Sequence, residues 1–267
     1  MRRRSQGAAL IAAMLLMMIP PTASAQEGAG GAPLGAAPEM VPFGPGERAE
    51  YKVSLGIFGQ VGTGYMEVVG TERVHGHATY HLQFGLNGKV LVGSVDDLFE
   101  SWLDVDQLFA RRHYKRQHEI TYNSERSYDF FPDRMVFQHR DSGKTEPLAS
   151  AEPLDEVSFL YYVRTLDLEP GRTYTLNRYY KDSGNPVTLK VLRREIMRGP
   201  QGGDVPVVVV QPIIRTSGLF GEGGEAEVYF TDDWRRILVK MSSKVPIIGR
   251  LGLTLTGYTA GQPLTAR

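Results

Sequence analysis

The chain has 267 residues, with 30 Lys and Arg against 30 Asp and Glu and no cysteine. So even a balance gives no electrostatic reason to expect a nucleic acid or an anionic membrane surface as partner. Without cysteine there are neither disulfides nor a thioether-linked lipid. Stability must come from a buried core, which about 220 ordered residues can supply in one domain or two small lobes.

Arg2, Arg3 and Arg4 precede an apolar run from Ala8 to Ile19, then Pro20-Pro21 and Ala23-Ser24-Ala25. A charged start, a short apolar middle and a small-x-small cut site make residues 1–25 a secretory signal peptide, cleaved before Gln26. The run is too short to span a bilayer, and no later stretch approaches a membrane-spanning helix. The expectation is a soluble periplasmic or secreted protein, of net charge about −3 after three arginines and no acid are removed. Residues 26–42 (QEGAGGAPLGAAPEMVP) have almost nothing to bury and read as a flexible leader.

From Phe43 the texture changes to short alternating segments bounded by turn residues. Strands are predicted at Glu50–Leu55, Gly64–Val69, Ala78–Leu86, Val90–Val95, Phe99–Val105, Phe109–His118, Thr121–Phe130 and Met135–Arg140. Turns of two to four residues between them point to antiparallel hairpins. Leu154–Leu168 (LDEVSFLYYVRTLDL) then runs without Gly or Pro. A helix near 155–167 follows, with Asp155 as its N-cap, and its apolar surface demands packing on most sides. Strands resume at Thr173–Tyr180, Val187–Glu195, Val205–Arg215, Ala226–Thr231, Ile237–Lys244 and Leu251–Thr259. The fold class is mainly β, a curved or barrel-like antiparallel sheet with one packed helix. Residues 43–260 form one domain, or two strand lobes (43–150 and 170–260) joined by the helix, and 261–267 are a tail.

There is an internal echo. Trp102–Asp106 leads to Phe109 and Arg111-Arg112, as Tyr229–Asp233 leads to Trp234 and Arg235-Arg236. Ordinary hairpin chemistry accounts for it, since acidic residues suit turns; a duplicated half-domain is the alternative.

Candidate chemistry is sparse. His75, His77 and His81 would share a face of one straight strand, as a metal site wants, but Gly76 makes His75 and His77 flank a hairpin tip. The chain has no Gly-x-Ser-x-Gly elbow and no His-Glu-x-x-His helix, and Tyr161 stands where a Ser-x-x-Lys enzyme starting at Ser158 needs lysine. Carboxylate pairs occur at Asp96-Asp97, Asp104/Asp106 and Asp232-Asp233, mostly in turns; a hydrolase would need two of them converging. The glycine-rich Gly218–Gly224 lacks the ending of a phosphate loop, and its Leu219 and Phe220 either cover an opening or staple the loop down. The basic run Arg111–Arg116 is balanced by Glu119, Glu125 and Asp129 on the following strand, a pattern of cross-strand ion pairing. Aromatics cluster at Tyr122–Phe137, Phe159–Tyr162, Tyr179-Tyr180 and Tyr229-Phe230, and line either a ligand cavity or a core. No catalytic, cofactor or metal residues are assigned.

Phe43-Gly44-Pro45-Gly46-Glu47 with Tyr51, Gly62, Gly64, Asp97–Ser101 and Asp104 is similar to the opening of an exported bacterial family, domain of unknown function number thirty-one-oh-eight. The resemblance continues through Asp155, Ser158, Tyr161, Arg164 and Leu166, then Gly171, Thr231–Asp233 and Arg236, covering residues 43 to 259. It implies an exported β-rich protein with one helix near the middle, and brings no catalytic residues. The pattern of strand, acidic turn and arginine also resembles periplasmic lipoprotein carriers, with half-open barrels and apolar cavities; that is an analogy of fold.

The leading functional expectation is therefore a non-enzymatic carrier or binding protein of the cell envelope. An apolar or lipid-like ligand would sit between sheet and helix, with Tyr161, Arg164, Leu219 and Phe220 as its candidate contacts. Arg164 would meet a polar head group, in which case Arg164→Ala abolishes binding and leaves the fold intact; alternatively it pairs with Asp155, Glu156 or another acid. The other expectations are an envelope interaction module without small ligand, partnered by another envelope protein, and a carboxylate-based hydrolase.

Overall fold

Alternation of apolar and polar residues gives a strand one buried face, and in the computed structural model such strands build one antiparallel sheet. The structure describes residues 41–90, 93–119, 122–214, 226–245 and 249–264. In chain order the strands are β1 (Arg48–Leu55), β2 (Gln60–Val74), β3 (His77–Val90), β4 (Gly93–Asp104), β5 (Ala110–Glu119), β6 (Tyr122–Phe131), β7 (Val136–His139) and β8 (Thr145–Pro147). After the helix α1 (Glu156–Val163) come β9 (Thr173–Leu176), β10 (Val187–Arg198), β11 (Asp204–Ile213), β12 (Ala226–Thr231), β13 (Leu238–Val245) and β14 (Gly249–Thr259).

The spatial order is β8-β7-β6-β5-β4-β3-β2-β1-β14-β13-β12-β11-β10-β9. Every step but one joins consecutive strands. The exception is β1, which pairs with β2 on one side and with β14 on the other. The two strand runs on either side of the helix are thus halves of a single sheet. Where the sequence pattern suggested a separate strand at Val90–Val95, β3 ends at Val90 and β4 begins at Gly93. β8 escaped the pattern because three residues containing a proline carry no periodicity, although proline suits an edge strand.

The sheet curls until its two edges approach. Residues 149–154 and 178–180 bridge them: Ala149 N–H donates to the Tyr180 carbonyl, Tyr180 N–H to that of Leu154, and Leu154 N–H to that of Arg178. The Arg178 guanidinium holds the seam by donating to the carbonyls of Glu152 and Leu108 at 2.9 and 2.8 Å. The Tyr180 ring packs among Tyr128, Phe130 and Phe137 of β6 and β7. The predicted strand Thr173–Tyr180 therefore ends at Leu176, because the residues after it leave the ladder for this seam.

The helix α1 lies against β3 and β4, and Val157 through Val163 are all buried. A helix apolar on every side has to be enclosed, and the curled sheet encloses it. The Asp155 side chain accepts from the amides of Val157 and Ser158, while the Ser158 hydroxyl accepts from Asp155 N–H, a reciprocal capping box. The helix is shorter than 155–167. After Val163 the bonds tighten to a three-residue spacing, Arg164 N–H to Tyr161 and Thr165 N–H to Tyr162. Gln262 N–H donates to the Pro45 carbonyl and Leu264 packs on the core, so this much of the 261–267 segment is docked. Residues 1–40, which include the predicted signal peptide and most of the predicted leader, lie outside the described residues.

Candidate ligand site at the helix

Both ends of α1 are fixed by buried polar groups. At the C-terminal end Arg164, 5% exposed, forks onto Glu47, 4% exposed, with Nη–Oε distances of 2.6 and 2.9 Å. It also donates to the carbonyls of Pro42 and Arg235, and Tyr258 O–H donates to Glu47. Burial opposes the guanidinium charge, and the Glu47 carboxylate more than offsets it. The Tyr161 ring packs edge-on to Phe43, 5.0 Å between centroids, and burial holds its phenol well above the usual range.

Arg164 and Tyr161 are therefore structural. The sequence alternative in which Arg164 pairs with another acid is realised, and the acid is Glu47, 117 residues away. A guanidinium with two carboxylate oxygens and two carbonyls as acceptors has little left for a head group. The other two candidate contacts, Leu219 and Phe220, lie outside the described residues.

At the N-terminal end Ser101 O–H donates to Asp155 Oδ2 at 2.6 Å, and burial raises the Asp155 pKa although His113 and these bonds oppose it. His113, 1% exposed, has Nδ1 at 3.1 Å from the Glu100 carbonyl. A carbonyl only accepts, so Nδ1 carries the proton and Nε2 is left facing Glu156 Oε2 at 3.7 Å. One donor atom each from His113, Asp155 and Glu156 lies within 4.8 Å of the others. Asp155 is committed to the helix cap and Ser101, which leaves two donors where a structural zinc takes four.

Beside this cluster is a narrow slot of about 20 Å³ lined by Leu154, Phe159, Leu176, Val187 and Ile214, with Glu156, Arg178 and Tyr179 on its border. Tyr179 O–H donates to Glu156 Oε1 at 3.2 Å. On the neighbouring strands, the half-buried Lys115 of β5 stands directly opposite Arg126 of β6, which is exposed. The Lys115 Nζ is 4.9 Å from the Phe99 ring. Lys181, just past the seam, lies 5.2 Å from the Tyr180 ring and 5.5 Å from that of Tyr128. Burial, then the field of Arg126, pushes the Lys181 pKa down. The sequence pattern does not single out this group because it reads the basic run as cross-strand ion pairs, whereas β5 turns alternate cations to opposite sides.

The remaining sequence candidates are dispersed. His75 and Gly76, at φ of 51° and 84°, form the β2–β3 tip, and both His75 and His77 are exposed there. His81 is apart from both, stacked on Trp102 at 4.6 Å between Glu72 and Glu100. Of the basic run, Arg112 pairs with Asp129 as the pattern suggested, whereas Arg111 turns to Asp104 and Arg116 to Asp96. The carboxylates at the echoed turns are engaged locally. Asp104 accepts from the amides of Asp106 and Gln107, and Asp233 from those of Arg235 and Arg236. A second, polar cleft of about 410 Å³ lies over Gly85 and Tyr65, bounded by Arg48, Glu50, Asp96 and Arg116.

No curated protein sequence matches the chain. Among solved structures it is similar to a β-barrel-like protein of domain of unknown function DUF1849 from Brucella abortus, at 13% identity and a TM-score of 0.51. The likeness covers 83% of this chain and all of that one, and at such identity it concerns the fold alone. The family model described as "Protein of unknown function (DUF3108)" matches residues 50–256, and the chain belongs to that family.

Proposed function

We propose that this is an exported, non-catalytic binding protein of the cell envelope whose ligand is apolar or lipid-like and enters between α1 and strands β9 to β11. The observation that carries the reading is the apolar slot at the helix, bordered by Tyr179 and by Glu156, which lies in the field of Lys115. Apolar walls with a few convergent polar groups are the usual composition of a small-ligand site. A volume near 20 Å³ holds no more than a water molecule or so, so the ligand has to part the helix from β9 and β10. The N-terminal signal supports export. The engagement of Asp104, Asp155 and Asp233 in caps and turns supports a non-catalytic role.

Native mass spectrometry with solvent extraction, on mature protein purified from its own host, tests this. A reproducible co-purifying hydrophobe supports the carrier; a clean apo mass with no uptake of added lipid refutes it. One observation favours a second reading, an interaction module meeting another envelope protein. The β1–β2 turn presents Ile57 at 95% and Phe58 at 55% exposure, while the chain's own helix fills the curl of the sheet. Isolated apolar residues are common on surfaces, which ranks this reading second.

A further inference from the structure

We propose that Lys115, Arg126 and Lys181 form a receptor for a phosphate-type anion, which on the reading above is the head group of the apolar ligand. Lys115 and Arg126 are opposed across the β5–β6 ladder. Directly opposite residues bring their Cβ atoms to about 5 Å, and like charges there are destabilising. Lys115, half-buried, stands across from Phe99 on the side of the ladder that also carries Tyr128, and Arg126 is exposed at the rim of that side, its Nε donating to Ser124 Oγ at 3.2 Å. Lys181 approaches from the seam, close enough that Arg126 and Lys115 both depress its pKa.

Among the described residues, none of the three cations has a carboxylate within 4 Å, in a chain where Arg111, Arg112, Arg116, Arg164, Arg193 and Arg194 are all paired. The acids facing them are otherwise occupied. Asp97 accepts from His118 N–H, Glu146 from Lys144 and His139, and Glu156 from Tyr179. Glu156 and Tyr179 also border the apolar slot, and Glu156 lies within the fields of Lys115 and Lys181. An amphiphile with its tail in the slot would therefore set its charge among the three cations. Two ammonium groups and a guanidinium present many donors and no acceptor, which suits the oxygens of a phosphate ester.

The test is calorimetric titration of delipidated mature protein at low salt with three probes: inorganic phosphate, dihexanoylphosphatidylglycerol and dihexanoylphosphatidylcholine. The proposal expects the anionic lipid to bind about tenfold or more tightly than the zwitterionic one, weakening as salt rises. It also expects Lys115→Gln and Lys181→Gln to remove that preference, and Lys115→Gln without ligand to melt about 1–3 °C higher as the repulsion is relieved. Equal affinity for both lipids, unchanged in the variants, overturns the anion site and leaves the apolar reading standing. Phosphate binding that depends on Lys115, with neither lipid bound better than phosphate, keeps the anion site and overturns the lipid reading. No binding of any probe overturns the proposal.

Discussion

Replacing Arg164 by alanine should damage the fold rather than a binding event. The substitution removes the fork onto Glu47 and the donors to Pro42 and Arg235, leaving a carboxylate 4% exposed with the Tyr258 hydroxyl as its remaining donor. Breaking a buried pair from one side costs about 3–5 kcal/mol, because the surviving charge has neither water nor a partner. For a domain of this size each kcal/mol moves the melting point by about 2–4 °C, so the variant should melt about 6–20 °C below wild type. Thermal and urea unfolding followed by circular dichroism read this directly. The double variant Arg164→Met with Glu47→Gln should cost clearly less than the two single changes added together, since each alone strands the other group. A single variant melting within about 2 °C of wild type, or a double variant whose cost is fully additive, would show that Arg164 does not hold α1 to the segment around Glu47.

Three further outcomes follow from the same physics. Asp155→Ala removes a helix cap worth about 1 kcal/mol and the acceptor of the buried Ser101 hydroxyl, itself about 1–3 kcal/mol; urea unfolding that finds a loss under about 1 kcal/mol contradicts the cap. Gly62→Ala places a Cβ 2.2 Å from the backbone oxygen of Asn87 and should destabilise by about 1–3 kcal/mol, whereas Gly203→Ala, with open space around it, should be neutral; equal melting points for the two would refute the argument. Burial opposes the His81 charge, but Glu100 and Glu72 outweigh it and raise its pKa. Its stabilisation is therefore full below its unfolded pKa of about 6.5 and fades as pH rises through the native value. The melting-point gap between wild type and His81→Gln should be wider near pH 6 than near pH 9 (the approximate flanks of that window), and a gap that widens with pH refutes the sign.

The strands were legible because alternation is a local signal. β12 occupies the predicted Ala226–Thr231, and β1, β10, β11 and β14 differ from their predictions by no more than three residues at either end. The echoed acidic turns were legible too, and both contain a left-handed residue, Leu108 at φ 53° and Arg236 at φ 48°. The anchors of the helix were not. Nothing local to Arg164 indicates Glu47, and nothing local to Asp155 indicates Ser101, since these partners meet only after the sheet has curled. Reading the opposed Lys115 and Arg126 required the register of the β5–β6 hairpin, because a shift of one residue moves a side chain to the other face.

The place of β14 in the sheet governs how the chain must reach its native state. Arg48 pairs with Thr259 and Leu55 with Leu251, so β1 keeps one open edge until a strand about two hundred residues downstream arrives. Closing so long a loop carries its entropic cost before any reward, which slows folding. A translocating chain would present that bare edge throughout, a template for pairing with other molecules. On the export proposed above, a factor that shields the chain during assembly should act on β1 and be released when β14 docks.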